Sequence, residues 1–116
     1  MPARAQTIVV GYSGSEASLR ALETAAALIG YGSRLTVVTV PSANVDGKAV
    51  DTARDLLLSR HVAARYLEPL GDPVEKLVES ASDVGADLIV VGRDRSGGSV
   101  SADVVRAASC NVLVVP

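Results

Sequence analysis

The chain has 116 residues, enough for one domain and too few for two. Hydrophobic residues make up 48% and charged residues 21%, close to the globular average, which excludes wholesale disorder. Eleven basic residues against thirteen acidic ones leave a formal net charge of −2, which provides no electrostatic footprint for nucleic acid or an anionic membrane.

The first strand signal is Thr7 to Val10, a β-branched run closed by Gly11. A helix follows, with Ser15 as its N-cap; Leu19, Leu22, Ala26 and Ile29 form its apolar stripe, and Gly30 or Gly32 marks its end. Leu35 to Val40 is the second strand, ending at Pro41, and the stretch Pro41 to Gly47 reads as a surface loop. Val50, Ala53 and Leu57 mark a shorter helix. The third strand signal, Val62 to Leu67, is interrupted by Arg65 and Tyr66 and followed by Pro69, as suits an edge strand.

Asp72-Pro73-Val74-Glu75 opens the third helix, with an aspartate N-cap, proline at the first helical position and glutamate at the capping-box position. Its predicted buried stripe is Val74, Leu77, Val78 and Ala81. Leu88 to Val91 is a strand closed by Gly92, and a fourth helix is predicted from about Val100 to Ala108 with Ser99 as N-cap. Val112 to Val115 is the last strand. Apart from the third, the strands are continuous apolar runs, as expected of strands buried on both faces. Strands alternating with helices predict an α/β fold, a doubly wound open parallel five-stranded sheet with helices on both faces.

In such a sheet, ligands bind beyond the carboxyl ends of the strands. Two turns there are rich in glycine and serine and open into helices: Gly11-Tyr12-Ser13-Gly14-Ser15, and Gly92 to Ser99. Glycine lets backbone approach a ligand, and a helix start offers N–H groups to an anion. The same residues also serve merely to turn the chain, so both readings stand on spacing alone.

Ile8 to Ser18 with Ala21 to Ala26, Gly71-Asp72-Pro73, Gly85 to Gly92, and the tail from Ser99 to Val115 together resemble the universal stress protein family over essentially the whole chain. The resemblance implies the strand order 3-2-1-4-5, a homodimer and, in one branch of the family, ATP binding. The nucleotide site it implies comprises Gly11, Tyr12, Ser13, Val38, Thr39, Val40, Gly92, Arg95, Gly97, Gly98, Ser99 and Val100. Ser13 and the backbone of Val38 to Val40 would face the base, and Gly92, Gly98, Ser99 and Val100 the ribose and phosphates.

Two departures stand out. ATP-binding members carry Gly-x2-Gly-x9-Gly-Ser/Thr after the fourth strand, whereas Gly92 and Gly98-Ser99 lie seven residues too close together, with Arg95 in place of the middle glycine. The family's aspartate after the first strand is Ser13, which lacks a carboxylate's charge-assisted hydrogen bonds. The expected protein is a stress-associated binding or regulatory protein with weakened or lost ATP binding, no enzymatic activity and no certain cofactor, with ATP or another adenine nucleotide as the candidate ligand. The alternative is an ATP-dependent switch or slow ATPase, with Asp94 and Asp103 as the available bases.

Other chemistry fits poorly. Gly11-Tyr12-Ser13-Gly14-Ser15 is one glycine short of a nucleophile elbow, and His61 falls before the third strand, at the opposite rim. A receiver domain would need clustered acidic residues after the first strand, and a Rossmann fingerprint would need a third glycine there. Asp51 and Asp55 read as a solvated helix face, and Cys110 as a small half-buried hydrophobe. One histidine and one cysteine exclude a structural zinc site. No apolar run approaches the ~20 residues that span a bilayer, no signal-peptide pattern is present, and a single cysteine suits the cytoplasm. In the order implied by the resemblance, Val112, Leu113, Val114 and Val115 form a bare edge, which a second copy would cover by pairing with its own last strand.

Overall fold

The computed structural model describes residues 6–43, 45, 47–93 and 100–116. Five strands, β1 (Thr7–Gly11), β2 (Arg34–Val38), β3 (Arg65–Leu67), β4 (Leu88–Gly92) and β5 (Asn111–Val115), form one sheet in the order β3-β2-β1-β4-β5. All four pairings are parallel. Helices α1 (Glu16–Leu28), α2 (Ala49–Ser59), α3 (Pro73–Val84) and α4 (Val100–Ala107) occupy the crossovers.

The continuous apolar runs divide residue by residue between two cores, because successive strand side chains point to opposite faces. Ile8, Val10, Leu35, Val37 and Val90 pack with Leu22, Ala53 and Leu57 of α1 and α2. Val9, Val38, Ile89 and Val91 pack with Leu77, Ala81 and Val104 of α3 and α4. The doubly wound arrangement is therefore built into strands that carry no polar face.

The boundaries shift at particular places. In α1 the buried face is Ala17, Ser18, Ala21, Leu22, Ala25 and Ala26, so Leu22 and Ala26 of the predicted stripe are buried while Leu19 and Ile29 only border the core. Small side chains prevail because α1 lies directly against β4, as the environment of Gly92 shows below. The helix begins as expected, with the Ser15 hydroxyl accepting from the Ser18 N–H at 3.1 Å, but closes at Ile29 before either glycine. The third helix follows its signature, with the Asp72 carboxylate accepting from the Glu75 N–H at 2.9 Å. Its buried face is Leu77, Ser80 and Ala81, with Val74 and Val78 half-buried.

The expected third strand contracts to Arg65–Leu67, since Val62 is used in closing α2, where its N–H bonds the Leu57 carbonyl at 2.9 Å. On this short edge the Arg54 guanidinium lies over the Tyr66 ring, 4.8 Å from its centre. The opposite edge, β5, is five residues long and only partly buried, with Leu113 37% exposed. Its expected burial on both faces therefore does not hold within one chain. The predicted cap Ser99 lies outside the described residues.

Candidate functional site

The parallel register sets Gly11 of β1 level with Val38 of β2, so both strands end at the same height beside Gly92 of β4. Beyond Gly11 the Tyr12 N–H still bonds the Val38 carbonyl, at 2.9 Å, before the chain turns away. The turn passes through Gly14 at φ +89°, a conformation that L side chains rarely adopt, and α1 starts at once.

This geometry gathers three serine hydroxyls at the mouth of the sheet. Ser18 Oγ accepts from the Ser13 N–H at 3.1 Å and donates to the Ser15 carbonyl at 2.9 Å. Ser13 Oγ lies 3.2 Å from Ser15 Oγ and 3.4 Å from Ser18 Oγ. Together with Ser42, these residues form the polar side of a cavity of about 440 Å³. The other side is apolar, with walls from Val38, Val40, Val45, Leu77 and Val91 and the start of α4 at Val100. None of the described lining residues is charged.

Of the residues singled out from sequence, Gly11, Tyr12, Ser13, Val38, Val40, Gly92 and Val100 line this cavity. Thr39 does not: it is 3% exposed between two cavity-lining valines, and its hydroxyl is buried with no hydrogen-bond partner among the described residues. Thr39→Val removes that unsatisfied hydroxyl while keeping the shape, so it is expected to be neutral or stabilising by up to about 1 kcal/mol. Urea denaturation of the two proteins checks this. Arg95, Gly97, Gly98 and Ser99 lie outside the described residues.

Ser18, Pro73 and Leu77 also line the cavity, and sequence reading did not assign them there. Ser18 follows the Ser15 cap by three residues and so lies one turn along the same face, a signal that was available. Leu77 carried only a core signal, and nothing local distinguishes a core leucine whose edge reaches a cavity.

The remaining candidates lie elsewhere. His61 closes α2 in a left-handed conformation (φ 58°), at the end of the sheet away from Ser13. Asp51 pairs with Arg54 at 3.3 Å and Asp103 with Arg106 at 3.5 Å, both on exposed helix faces. Cys110 borders a second, smaller hollow with Ser82, Ala86 and Ile89. Burial pushes its thiol above the ordinary range and the nearby Asp87 carboxylate pushes the same way, so it stays protonated and a weak nucleophile. Among the described residues there is no cluster of three or more potential metal ligands, and no helix long and apolar enough to cross a membrane.

The model of the universal stress protein family matches residues 59–116. A universal stress protein of Mycobacterium tuberculosis is 31% identical over 140 aligned positions, covering 95% of each chain. The chain belongs to the universal stress protein family. A crystal structure of a universal stress protein in complex with cAMP superposes with a TM-score of 0.83 at 32% identity, covering 97% of this chain and 98% of that one. A family member from Burkholderia pseudomallei gives a TM-score of 0.72 at 29% identity, covering 96% of each chain. These universal stress proteins share the five-stranded α/β sheet expected from the sequence. The alignment with the mycobacterial relative is longer than this entire chain, so the relative carries segments that this universal stress protein lacks.

Proposed function

We propose that this universal stress protein is a non-catalytic, stress-associated binding protein of the cytoplasm whose rim cavity takes an adenine nucleotide carrying a single phosphate, plain or cyclic. ATP is held weakly or not at all. The observation that carries this reading is the cavity itself: valine walls suited to a flat base, a hydroxyl-lined polar side, and no charged side chain among its described lining. The related protein crystallised with cAMP has the same fold at 32% identity.

Charge and loop length argue against a triphosphate. Only seven residues join Gly92 to Val100, few to wrap a long phosphate chain with backbone N–H groups. A triphosphate brings more charge than the described lining, which holds no charged side chain, neutralises, and desolvating that charge is costly. One phosphate makes a smaller demand. Of the two bases named for the ATPase reading, Asp103 pairs with Arg106 and Asp94 lies outside the described residues, and the single histidine, His61, is not at this rim. The single cysteine, unpaired in this chain, supports the cytoplasmic placement.

Calorimetric titration with cAMP, AMP and ATP tests the proposal. The expected order places ATP at least about tenfold weaker than the better monophosphate, a difference of about 1.4 kcal/mol. Saturable low-micromolar ATP binding tighter than either monophosphate would overturn it. So would phosphate release from ATP above background.

The working unit is a homodimer paired through β5. One sheet edge, β3, is only three residues long, whereas β5 presents Val112 to Val115 along an outer edge of the sheet. A two-fold copy of the same strand satisfies that backbone and buries Leu113.

A further inference from the structure

We infer that Arg20 is a positioning residue for the dimer edge: from the second turn of α1 it holds the end of β5 on the sheet, and so fixes the backbone that a second copy pairs with. This rests on the homodimer reading and adds which side chain sets the edge in place.

An edge strand is bonded on one side only, and its ends are prone to fray. Within the sheet β5 has β4 as its one neighbour. Near its end the Val115 carbonyl accepts from the Arg93 N–H at 2.7 Å. Pro116 follows and has no N–H, so it donates nothing to a ladder. Its carbonyl accepts instead from the Arg20 Nε–H at 2.8 Å. That donor stands on a fixed support, because the backbone of Ala17, one turn earlier, lies against Gly92 of β4. Val115 packs against the core that α1 covers. Helix α1 therefore grips β4 and the end of β5 together.

Alternation along the strand decides which backbone groups are left for a partner. Val115 turns its N–H and carbonyl toward β4, so Val112 and Val114, an odd number of residues away, turn theirs outward. Two copies of β5 related by a two-fold axis across the sheet run antiparallel. The closing end of each strand then lies beside the opening end of the other. A frayed end misplaces the Val114 groups, and symmetry repeats the fault at both ends of the interface. Arg20 and Pro116 are both exposed, so their bond places the edge and adds little to the stability of either core.

Amide hydrogen exchange and sedimentation velocity on the wild type, Arg20→Ala and Arg20→Lys test this, because two neighbouring amides report different events. The Val115 amide faces β4 and reports whether the strand end is held, in monomer or dimer alike. The Val114 amide faces outward and gains protection from pairing. In Arg20→Ala the Val115 amide is expected to exchange about tenfold faster, with Val9 of β1 unchanged within about twofold. The dimer dissociation constant should rise about tenfold, about threefold for one hydrogen bond at each of two equivalent ends. Arg20→Lys keeps a donor and the charge, and should bring both quantities back to within about threefold of wild type. A lysine variant no better than alanine would overturn the hydrogen bond as the cause. Unchanged Val115 exchange in Arg20→Ala overturns the clamp, and so does equal acceleration at Val9, which marks general loosening. Faster Val115 exchange with an unchanged dissociation constant overturns its part in pairing. A wild type that stays monomeric, with its Val114 amide unprotected, fails the homodimer reading and the pairing role with it, while Val115 exchange still decides the clamp.

Discussion

Replacing Gly92 with alanine is expected to cost about 2–4 kcal/mol of folding stability. A Cβ at this position would sit 2.4 Å from both the carbonyl carbon and the carbonyl oxygen of Ala17, and 2.7 Å from the Ser18 nitrogen. These are backbone atoms of the first turn of α1, which cannot swing aside as the end of a flexible side chain does. Either α1 lifts from β4 or β4 distorts, and both openings loosen the core around Leu22, Ala21 and Val90. Set against a total stability of about 5–15 kcal/mol for a domain of this kind, the loss is large. Urea denaturation followed by circular dichroism should show a markedly lower midpoint. Gly47→Ala is the control, since nothing lies within 4 Å of a Cβ there, and its midpoint should stay close to wild type. A Gly92→Ala protein as stable as wild type would mean that α1 and β4 are not in this contact. The same contact explains why the buried face of α1 is mostly alanine and serine, and why the serine web sits so near the end of β4.

The second large effect concerns assembly. Leu113→Lys is expected to convert a homodimer into a monomer at micromolar concentration, weakening association by about a hundredfold or more. Leu113 is 37% exposed on β5 and sits at a sheet edge with no further strand beside it. In a two-fold pairing of β5 with its own copy, the two substituted lysines are brought together at the interface, so repulsion and desolvation act twice. The monomer should keep its fold, because the position is a partly exposed edge rather than part of either core. Sedimentation velocity on both proteins decides the matter. A wild-type chain that sediments only as a monomer at micromolar concentration ends the dimer proposal.

These two residues also mark where sequence reading reached its limit. Val112 to Val115 reads as a strand from composition alone, and the family resemblance placed it at an edge. How far its side chains are covered depends on what packs beside it. Gly92 shows the opposite problem. Its position after an apolar run invites a phosphate-binding role, and the sequence offers no hint that Ala17 backbone occupies the space where its side chain would be. Thr39 fails in the same way, since its neighbours Val38 and Val40 line the cavity while Thr39 does not.

The helix caps were legible because they are local. Ser15 and Asp72 each satisfy an N–H three residues along the chain, a relation that needs no tertiary information. The division of the β1 and β4 side chains between two cores was equally implicit, since unbroken valine and isoleucine runs leave no face for water. From the sequence alone, then, came the order of elements, the doubly wound α/β architecture and the presence of two small-residue turns at strand ends. Tertiary structure alone decided that the first turn closes into a web of three serine hydroxyls, that it shares a cavity with the start of α4 whose described lining is uncharged, and that α1 lies against Gly92 closely enough to forbid a side chain there. The physical reason is range: capping and strand burial are set within a few residues, whereas a cavity and a close approach are set by segments about eighty residues apart that meet only once the sheet is assembled.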